Sequence, residues 1–354
     1  MADDIRIGLI GCSSIAARRF VPALAGSTAR LTAVAARDPA RAAAFAARFG
    51  AASTTGYREL LARDDVDAVY VSVPTGRHAA ETRAALAAGR HVLVEKPLAV
   101  DAAEGASVLA AARRAGRVVM ENRMFVHHGQ HRVAAELLAD GAIGELRVLG
   151  AAMAVPPLPA DDIRHRADLG GGALLDVGYY PAHAALLHLA APLEVVGATR
   201  RTDPRYDVEV GGAALLRDAA GVDAHLTYGF AHAYRSRYEL WGERGRLVLE
   251  RAFTPAAGWQ PVLRLHRQDR VELRTLPAED HFRGALDAFL AAVRGEADPA
   301  AVRGEADPAA VRGEADPAAV RGEADLAAHG ARTLAGLALL DAIRAAGHRA
   351  GPDR

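Results

Sequence analysis

Short apolar runs alternate with amphipathic stretches over the first third of the chain. The runs at 5–10, 31–35, 66–73, 91–94 and 117–120 are strand-like, and the stretches at 14–24, 39–49, 77–88 and 102–115 have helical spacing. Because the strands are apolar throughout, the pattern predicts a parallel sheet covered by helices on both faces. Residues 1–123 are therefore predicted to form a doubly wound α/β domain.

The pattern changes after about residue 124. Strand-like runs follow at 146–155, 193–199, 212–216, 221–228 and 246–249, with helical stretches at 180–189, 285–293 and 327–346. These strands are not regularly interleaved with helices, which predicts a mostly antiparallel sheet. Residues 124–354 are thus predicted to form a second, α+β domain.

A nonapeptide repeat interrupts this second region at 292–325. The unit AVRGEADPA occurs three times in succession, and AVRGEAD follows. A period of nine moves the apolar residues to the opposite face of a helix or strand at each repeat. The repeat is therefore either a binding array or a duplicated surface loop, and its lack of aromatic residues or ligand clusters favours the loop.

Composition narrows the class of protein without selecting a reaction. The 354 residues include 43 basic and 43 acidic side chains, so no basic excess indicates nucleic-acid binding. The single cysteine, Cys12, fits a reducing compartment. We find no signal-peptide pattern at the start and no apolar stretch near the ~18 residues of a membrane span. We therefore expect a cytoplasmic protein with no membrane partner and, without metal-ligand spacing, no metal.

The turn after the first predicted strand is a candidate phosphate-binding loop. The sequence IRIGLIGCSSIA places Gly11, Ser13 and Ala16 in the register of a G-x-G-x-x-G loop, where backbone N–H groups hold a pyrophosphate. At the end of the second strand, Arg37 and Arg41 suit the 2′-phosphate of NADP, whereas Asp38 would suit the ribose hydroxyl of NAD. The two arginines favour NADP.

Two further motifs indicate chemistry. Lys96 follows a predicted strand in the segment VEKP, where a side chain at the carboxyl end of a parallel strand faces the ligand crevice; a surface lysine is the alternative. In GGGALLDVGYYP, Asp176 and Tyr180 are four residues apart, so on a helix they share a face and could transfer a substrate proton. A capping aspartate and a packing tyrosine are the alternative. The three glycines are expected to let the backbone approach a ligand.

Together these motifs resemble the Gfo/Idh/MocA oxidoreductase family over nearly the whole chain. Within it, the segments 120–132, 162–172 and 253–255 look like the NADPH-dependent sugar-nucleotide 3-ketoreductases of deoxysugar biosynthesis. The resemblance implies an N-terminal Rossmann domain and a C-terminal substrate-binding domain with an open-faced sheet for subunit association. It further implies reduction of the C3 ketone of a dTDP-linked 3,4-diketo-6-deoxyhexose.

The resemblance also implies roles for individual residues. Lys96 and Tyr180 are implied as the catalytic pair, with Tyr180 where many members carry histidine, and Asp176 as the residue that orients the substrate. The residues expected to bind NADP(H) are Gly11, Cys12, Ser13, Ser14, Ile15, Arg37, Arg41, Pro74, His78, Glu95 and Lys96. The residues expected to bind substrate are Arg123, His127, His128, Arg164, Asp176 and Tyr180, with His78 as a further candidate.

Two other functions stay open from the sequence. One is an NAD-dependent dehydrogenase of a free polyol or sugar, and the other is a non-catalytic NADP-binding protein. We expect a dTDP-sugar as the partner molecule and a homo-oligomer, dimer or tetramer, formed through the C-terminal sheet. Two features depart from the family: Ser13 replaces the usual second glycine of the loop, and the nonapeptide repeat has no counterpart.

Overall fold

The computed structural model describes residues 4–295 and 322–349 of the chain. Its contacts divide the chain into two compact units. Of the described residues, the first contains those up to Met124 and, from the C-terminal helices, residues 282–295 and 322–334. The second contains Phe125–His281 and the end of the chain from Ala335. This division differs from the predicted boundaries, which placed everything after residue 123 in one domain. Most of the nonapeptide repeat at 292–325 lies outside the described residues.

A six-stranded parallel sheet forms the centre of the first unit, in the order β3-β2-β1-β4-β5-β6. Its strands are β1 (Ile5–Ile10), β2 (Ala29–Ala36), β3 (Ala52–Thr55), β4 (Ala68–Val71), β5 (His91–Glu95) and β6 (Val119–Asn122). Every residue of β4 is buried, as expected for a strand covered on both faces. The strand order reverses between β1 and β4, which is where open α/β sheets bind ligands at the carboxyl ends of their strands.

Helices connect these strands. They are α1 (Val21–Ala23), α2 (Pro39–Phe49), α3 (Tyr57–Leu61), α4 (His78–Ala87) and α5 (Ala102–Ala115), and residues Ala16–Phe20 before α1 are π-helical. The bounds of α2 and α5 agree with the sequence prediction, because both have clear ends. Asp101 caps α5 by accepting a hydrogen bond from the N–H of Glu104, and Gly116 ends it at φ 59°.

The second unit contains a nine-stranded mixed sheet in the order β14-β13-β12-β11-β7-β10-β9-β8-β15. Its strands are β7 (Leu146–Ala154), β8 (Glu194–Asp203), β9 (Val208–Arg217), β10 (Asp223–Gly229), β11 (Arg235–Gly242), β12 (Arg246–Glu250), β13 (Val262–Arg267), β14 (Arg270–Thr275) and β15 (Gly347–Arg349). Only the β7–β10 and β8–β15 pairs are parallel. The predicted fold class, α/β with a mostly antiparallel second sheet, is confirmed.

One face of this sheet is covered and the other is open. Along β11, Ser236, Tyr238 and Leu240 are buried while Arg235 and Trp241 are exposed, which is the alternation of a strand with one solvated face. The remaining helices of the chain are α6 (Gly129–Ala139), α7 (Tyr179–His188), α8 (His281–Arg294) and α9 (Gly322–Ala346). Of these, α7 contacts β7 and β10 of the sheet.

The last helix corrects one statement made from the sequence. Residues Leu326–Ala346 of α9 are long and apolar enough, by length and composition alone, to cross a membrane. Many of its apolar side chains are buried in the folded protein, including Leu337, Leu340 and Ile343. Such burial is the property of a core helix, so the apolar stretch reflects packing.

Candidate active site

The turn after β1 is shaped by Gly11. Its φ is +97°, and a Cβ at this position would collide with the carbonyl oxygen of Ser72, which follows β4. Ser13, which replaces the usual glycine, accepts a hydrogen bond from the N–H of Ala16 at 3.0 Å and meets the Ser72 hydroxyl at 2.5 Å. The turn is therefore packed closely against the end of β4, at the reversal of strand order where a pyrophosphate is expected to bind.

The residues after β2 have separate tasks. Asp38 is the N-cap of α2, accepting a hydrogen bond from the N–H of Ala40 at 3.0 Å. Arg41 donates a hydrogen bond to the carbonyl oxygen of Cys12 at 2.8 Å and so braces the turn after β1. Arg37 is exposed at the end of β2. Arg37 is thus the cation best placed to meet a cofactor phosphate.

Sequence reasoning missed two residues near Arg37. Burial and the charge of Glu81 raise the pKa of the half-buried Tyr57, while Arg37 and Arg77 oppose this shift, so these charges lie within electrostatic range of the Tyr57 ring. Arg77 donates to Glu81 at 2.5 Å, and its buried Nε has no hydrogen-bond partner among the described residues. The only sequence signal was the position of Arg77 just after β4, three residues beyond Pro74.

Lys96 is the single lysine of the chain and follows β5. The carboxylate of the preceding Glu95 accepts hydrogen bonds from the Lys96 N–H at 3.3 Å, from Asn122 at 2.8 Å and from the hydroxyl of Tyr70. Burial raises the pKa of Glu95. Glu95 was predicted to bind the cofactor, but the structure buries its side chain in this network, so it supports the backbone at Lys96.

The next two residues of this loop are also held by buried side chains. His78 places Nδ1 2.7 Å from the carbonyl oxygen of Pro97 and Nε2 2.8 Å from that of Val73. Glu121 accepts a hydrogen bond from the N–H of Leu98 at 2.8 Å. Burial lowers the pKa of His78. Three successive residues from Lys96 to Leu98 are therefore each fixed by a different buried side chain, and His78 has a supporting position instead of an exposed one.

In the second unit, the glycines at 170–172 let one turn of the chain pack closely against another. Gly170 and Gly172 have positive φ, and a Cβ on Gly171 would come within 2.7 Å of the carbonyl oxygens of Arg164 and Arg166. The close approach expected from these glycines is therefore made to the 3₁₀ turns at 163–169. The approach of this backbone to a ligand stays a prediction beside this packing role.

That packing brings Arg164 to Asp176. The Arg164 Nε donates to the Asp176 carboxylate at 2.6 Å, and Nη1 lies 3.2 Å from Asp162. Asp176 raises the pKa of Arg164 above its already high value. Asp176 lies in a π-helical turn, Leu174–Gly178, that leads into α7, so the i, i+4 argument for a shared α-helical face does not apply at Asp176.

Tyr180 lies in the first turn of α7 with its ring packed between aromatic side chains. The ring stacks on Phe253 at 5.5 Å between centroids and meets Phe125 edge-on at 5.9 Å. The adjacent Tyr179 stacks instead on His183 at 3.8 Å. The rings of Tyr179 and Tyr180 also meet edge-on at 5.7 Å, but their stacking partners differ.

The remaining predicted substrate residues are less accessible. Arg123 and His128 are 3% and 1% exposed, and His127 is half-buried. His128 caps α6 by accepting a hydrogen bond from the N–H of Gln130. Arg123 lies 3.5 Å from His329. These contacts give Arg123 and His128 structural positions, and Arg164, Asp176 and Tyr180 remain as the stronger candidates.

Comparison with known proteins identifies the family of both parts of the chain. Residues 5–123 match the model of an oxidoreductase family with an NAD-binding Rossmann fold, and residues 131–248 match the GFO/IDH/MocA C-terminal domain. The fold and site define an oxidoreductase with a dinucleotide-binding domain. The chain belongs to the Gfo/Idh/MocA family.

Several relatives have been named by activity. A dTDP-3,4-didehydro-2,6-dideoxy-alpha-D-glucose 3-reductase from Saccharopolyspora spinosa is 49% identical over 304 residues, covering 85% of this chain and 92% of that protein. One of the same name from Actinomadura kijaniata is 50% identical over 84% of this chain and 90% of its own length. A crystal structure of a 3-ketoreductase from Actinomadura kijaniata with NADP and TDP-benzene superposes with a TM-score of 0.87 at 44% identity, covering 98% of this chain and 99% of that one.

Proposed function

We propose that this protein uses NADPH to reduce the C3 ketone of a dTDP-linked 3,4-diketo-6-deoxyhexose. The observation that carries the proposal is the identity of about half of the aligned residues, in an alignment of more than four fifths of the chain, with reductases named for this reaction. The arrangement of the residues supports it, because the tight turn at Gly11 packs against the end of β4, where such sheets bind a pyrophosphate, and Arg37 offers an exposed cation for a 2′-phosphate. A free-polyol dehydrogenase is less well supported, since Asp38 is engaged as a helix cap.

The chain's own residues have distinct proposed roles in this reaction. Bound NADPH would supply the hydride that adds to the C3 carbon. Tyr180 would donate its phenolic proton to the oxygen that becomes negative as the C=O bond is reduced, leaving a C3 hydroxyl and a phenolate that solvent reprotonates. Lys96 would stabilise the developing oxyanion by its charge. Asp176, held by Arg164, would orient the substrate.

The proposal is tested by following NADPH oxidation with substrate generated in place by a dTDP-sugar 2,3-dehydratase. We expect turnover with the dTDP-linked diketo sugar, none with free inositol, glucose or xylose and NAD⁺, and a product hydroxylated at C3 by mass spectrometry and NMR. Equal activity on a free polyol with NAD⁺ would support the dehydrogenase instead. NADPH binding with no turnover on any ketone would support a non-catalytic protein.

We also propose a cytoplasmic homo-oligomer that associates through the open face of the nine-stranded sheet. Trp241 is 56% exposed there, and strand register links it through Arg246 and His266 to Val271, which is 54% exposed. Exposed tryptophan and valine side chains on the open face of a sheet favour association. Light scattering should give a dimer or tetramer, and Trp241→Glu should shift it to smaller species. A monomeric parent protein would contradict the proposal.

A further inference from the structure

An unusual surface cluster follows β12 in the second unit. Arg251, the first residue after the strand, has φ +50°, a conformation that a long side chain rarely adopts. Its guanidinium carbon lies 4.8 Å from the ring centroid of Trp259 and 5.6 Å from that of Tyr234. Trp259 and Tyr234 are 39% and 43% exposed. Backbone strain and exposed aromatic rings around a cation are features that concentrate at binding sites.

The charge of Arg251 is available to a ligand. In the part of the chain that the structure describes, Arg251 has no carboxylate partner, although the preceding Glu250 lies 3.6 Å from Arg237. Arg251 is exposed beside the two rings, and a guanidinium in contact with aromatic rings keeps N–H groups that can bind an anion. The hydroxyl of Tyr234 is tied to Thr254 at 2.8 Å, which fixes the ring on one side of the cluster.

The same loop is joined to the candidate proton donor. Phe253, two residues after Arg251, stacks on the ring of Tyr180 at 5.5 Å. Between them, the carbonyl oxygen of Ala252 accepts a hydrogen bond from Gln130 at 3.0 Å and lies 3.0 Å from Nε2 of His131. The start of the loop is therefore firmly held, and Arg251 lies two residues from a side chain that contacts Tyr180.

We propose that Arg251, Tyr234 and Trp259 form the subsite for the thymidine diphosphate part of the substrate. The guanidinium pairs with the diphosphate through charge-assisted hydrogen bonds, and an exposed aromatic face stacks on the planar thymine ring. This inference rests on the proposed function and adds residues that bind the nucleotide, distant from the carbon that is reduced. It gives the chain a means of distinguishing a nucleotide-linked sugar from a free sugar.

The first experiment measures the dissociation constant of dTDP by calorimetry in the presence of saturating NADP⁺. Arg251→Gln should raise this constant about tenfold or more, as expected for the loss of a charge-assisted bond to phosphate. The dissociation constant of NADP⁺ should not change. Arg264→Gln, which alters an exposed arginine of β13 in the same unit, is the matched control and should bind dTDP like the parent protein.

A second experiment reports on stacking without reference to activity. The chain has two tryptophans, Trp241 and Trp259, so Trp241→Phe leaves Trp259 as the only indole. Addition of dTDP to this variant should quench its fluorescence along a curve that matches calorimetry, and Trp259→Leu should weaken dTDP binding.

The outcomes separate this subsite from the proposed function. A parent protein that does not bind dTDP at all contradicts both. A parent that binds dTDP, with Arg251→Gln binding equally well and Trp259 fluorescence unchanged at saturation, overturns the subsite and leaves the proposed function standing. A change in oligomeric state in Arg251→Gln, without any change in dTDP affinity, also overturns it and assigns the cluster to contacts between copies of the chain.

Discussion

Adjacent side chains at the end of β2 have different effects on cofactor choice. Asp38 caps α2, so its carboxylate is engaged, whereas Arg37 beside it is exposed. From the sequence alone, Asp38 suited NAD and Arg37 suited NADP. The hydrogen bond that resolves this ambiguity depends on where α2 begins, and Pro39 at its first position fixes that point.

Removing the charge of Arg37 should therefore weaken NADPH selectively. Arg37→Gln should raise the dissociation constant of NADPH about 10- to 100-fold, the value of a lost charge-assisted bond to the 2′-phosphate, and leave that of NADH nearly unchanged. Arg30→Gln, at an exposed arginine earlier in β2, is the control. Calorimetric titration of both cofactors checks this, and equal weakening of NADH would assign Arg37 a structural role.

Tyr180 should be the proton donor. Tyr180→Phe keeps the ring that stacks on Phe253 and removes only the hydroxyl, so folding and NADPH affinity should be preserved while kcat falls about 10²-fold or more. Tyr179→Phe should have little effect, because its ring stacks on His183 instead. Steady-state kinetics with both variants decides the matter. Full activity in Tyr180→Phe would transfer the role to another group, with the half-buried His127 as the next candidate.

Because Lys96 is the single lysine, chemical modification can address it selectively. Acetylation of primary amines can modify only Lys96 and the amino terminus, and it removes their charge. We expect activity to fall in step with acetylation of Lys96, as measured by mass spectrometry, because the oxyanion loses its neighbouring cation. Reductive methylation, which keeps the charge, should be less harmful. A fully acetylated protein that retained activity would exclude an electrostatic role for Lys96.

At the scale of elements, the sequence predicted the helices whose ends carry the usual capping residues. It missed elements whose composition or cap is unusual. Asp38, Pro39 and Gly50 mark the ends of α2, and its bounds were predicted correctly. The strand β3 is polar, with the sequence ASTT, and lacks the apolar pattern that indicates a strand. The helix α6 begins at Gly129 after a histidine cap, which is not among the usual capping residues. Local patterns failed where tertiary contacts determine the structure.

The loop after β5 shows the same limit at the candidate site. Lys96 could be chosen from its position after a strand, but its supports come from separate elements. His78 begins α4 and Glu121 lies in β6, and each binds the loop backbone through a contact that no local pattern reveals. The sequence therefore predicted the functional side chain but not the side chains that hold its loop.

The support from Glu121 can be tested with a conservative pair of variants. Glu121→Ala leaves the N–H of Leu98 without its buried acceptor, which should cost about 1–3 kcal/mol of stability and, through displacement of Lys96, lower kcat about tenfold. Glu121→Gln keeps an amide oxygen that can accept the same bond, so its kcat should lie nearer the parent value. Chemical denaturation and kinetics together check this. Equal kcat in both variants and the parent would remove Glu121 from the positioning of Lys96.

At the scale of the whole molecule, buried histidines should make stability depend on pH. His131 is buried and His188 is half-buried with its Nε2 enclosed, and burial lowers the pKa of His131 well below its usual value and that of His188 to about 4. Both rings contact Tyr238. The His131 ring stacks on it at 5.6 Å between centroids, and the centroid of the His188 ring lies 5.0 Å from that of Tyr238. The fold therefore accommodates these rings in their neutral form.

The sign of the pH effect follows from these lowered pKa values. Below about pH 6.5 the unfolded chain binds protons on these histidines and the folded chain does not, so stability is full above that pH and falls as the pH decreases toward the folded pKa. Because the pKa of His188 in the folded protein is about 4, this residue alone should lower the free energy of unfolding at pH 5.5 by about 1.4 kcal/mol. His188→Phe keeps a ring beside Tyr238 and should flatten the decline between pH 7.5 and 5.5 by about that amount, whereas His225→Asn, on the open sheet face, should not. Denaturant titrations at the two pH values measure the difference, and the same decline in His188→Phe as in the parent would place the acid sensitivity elsewhere.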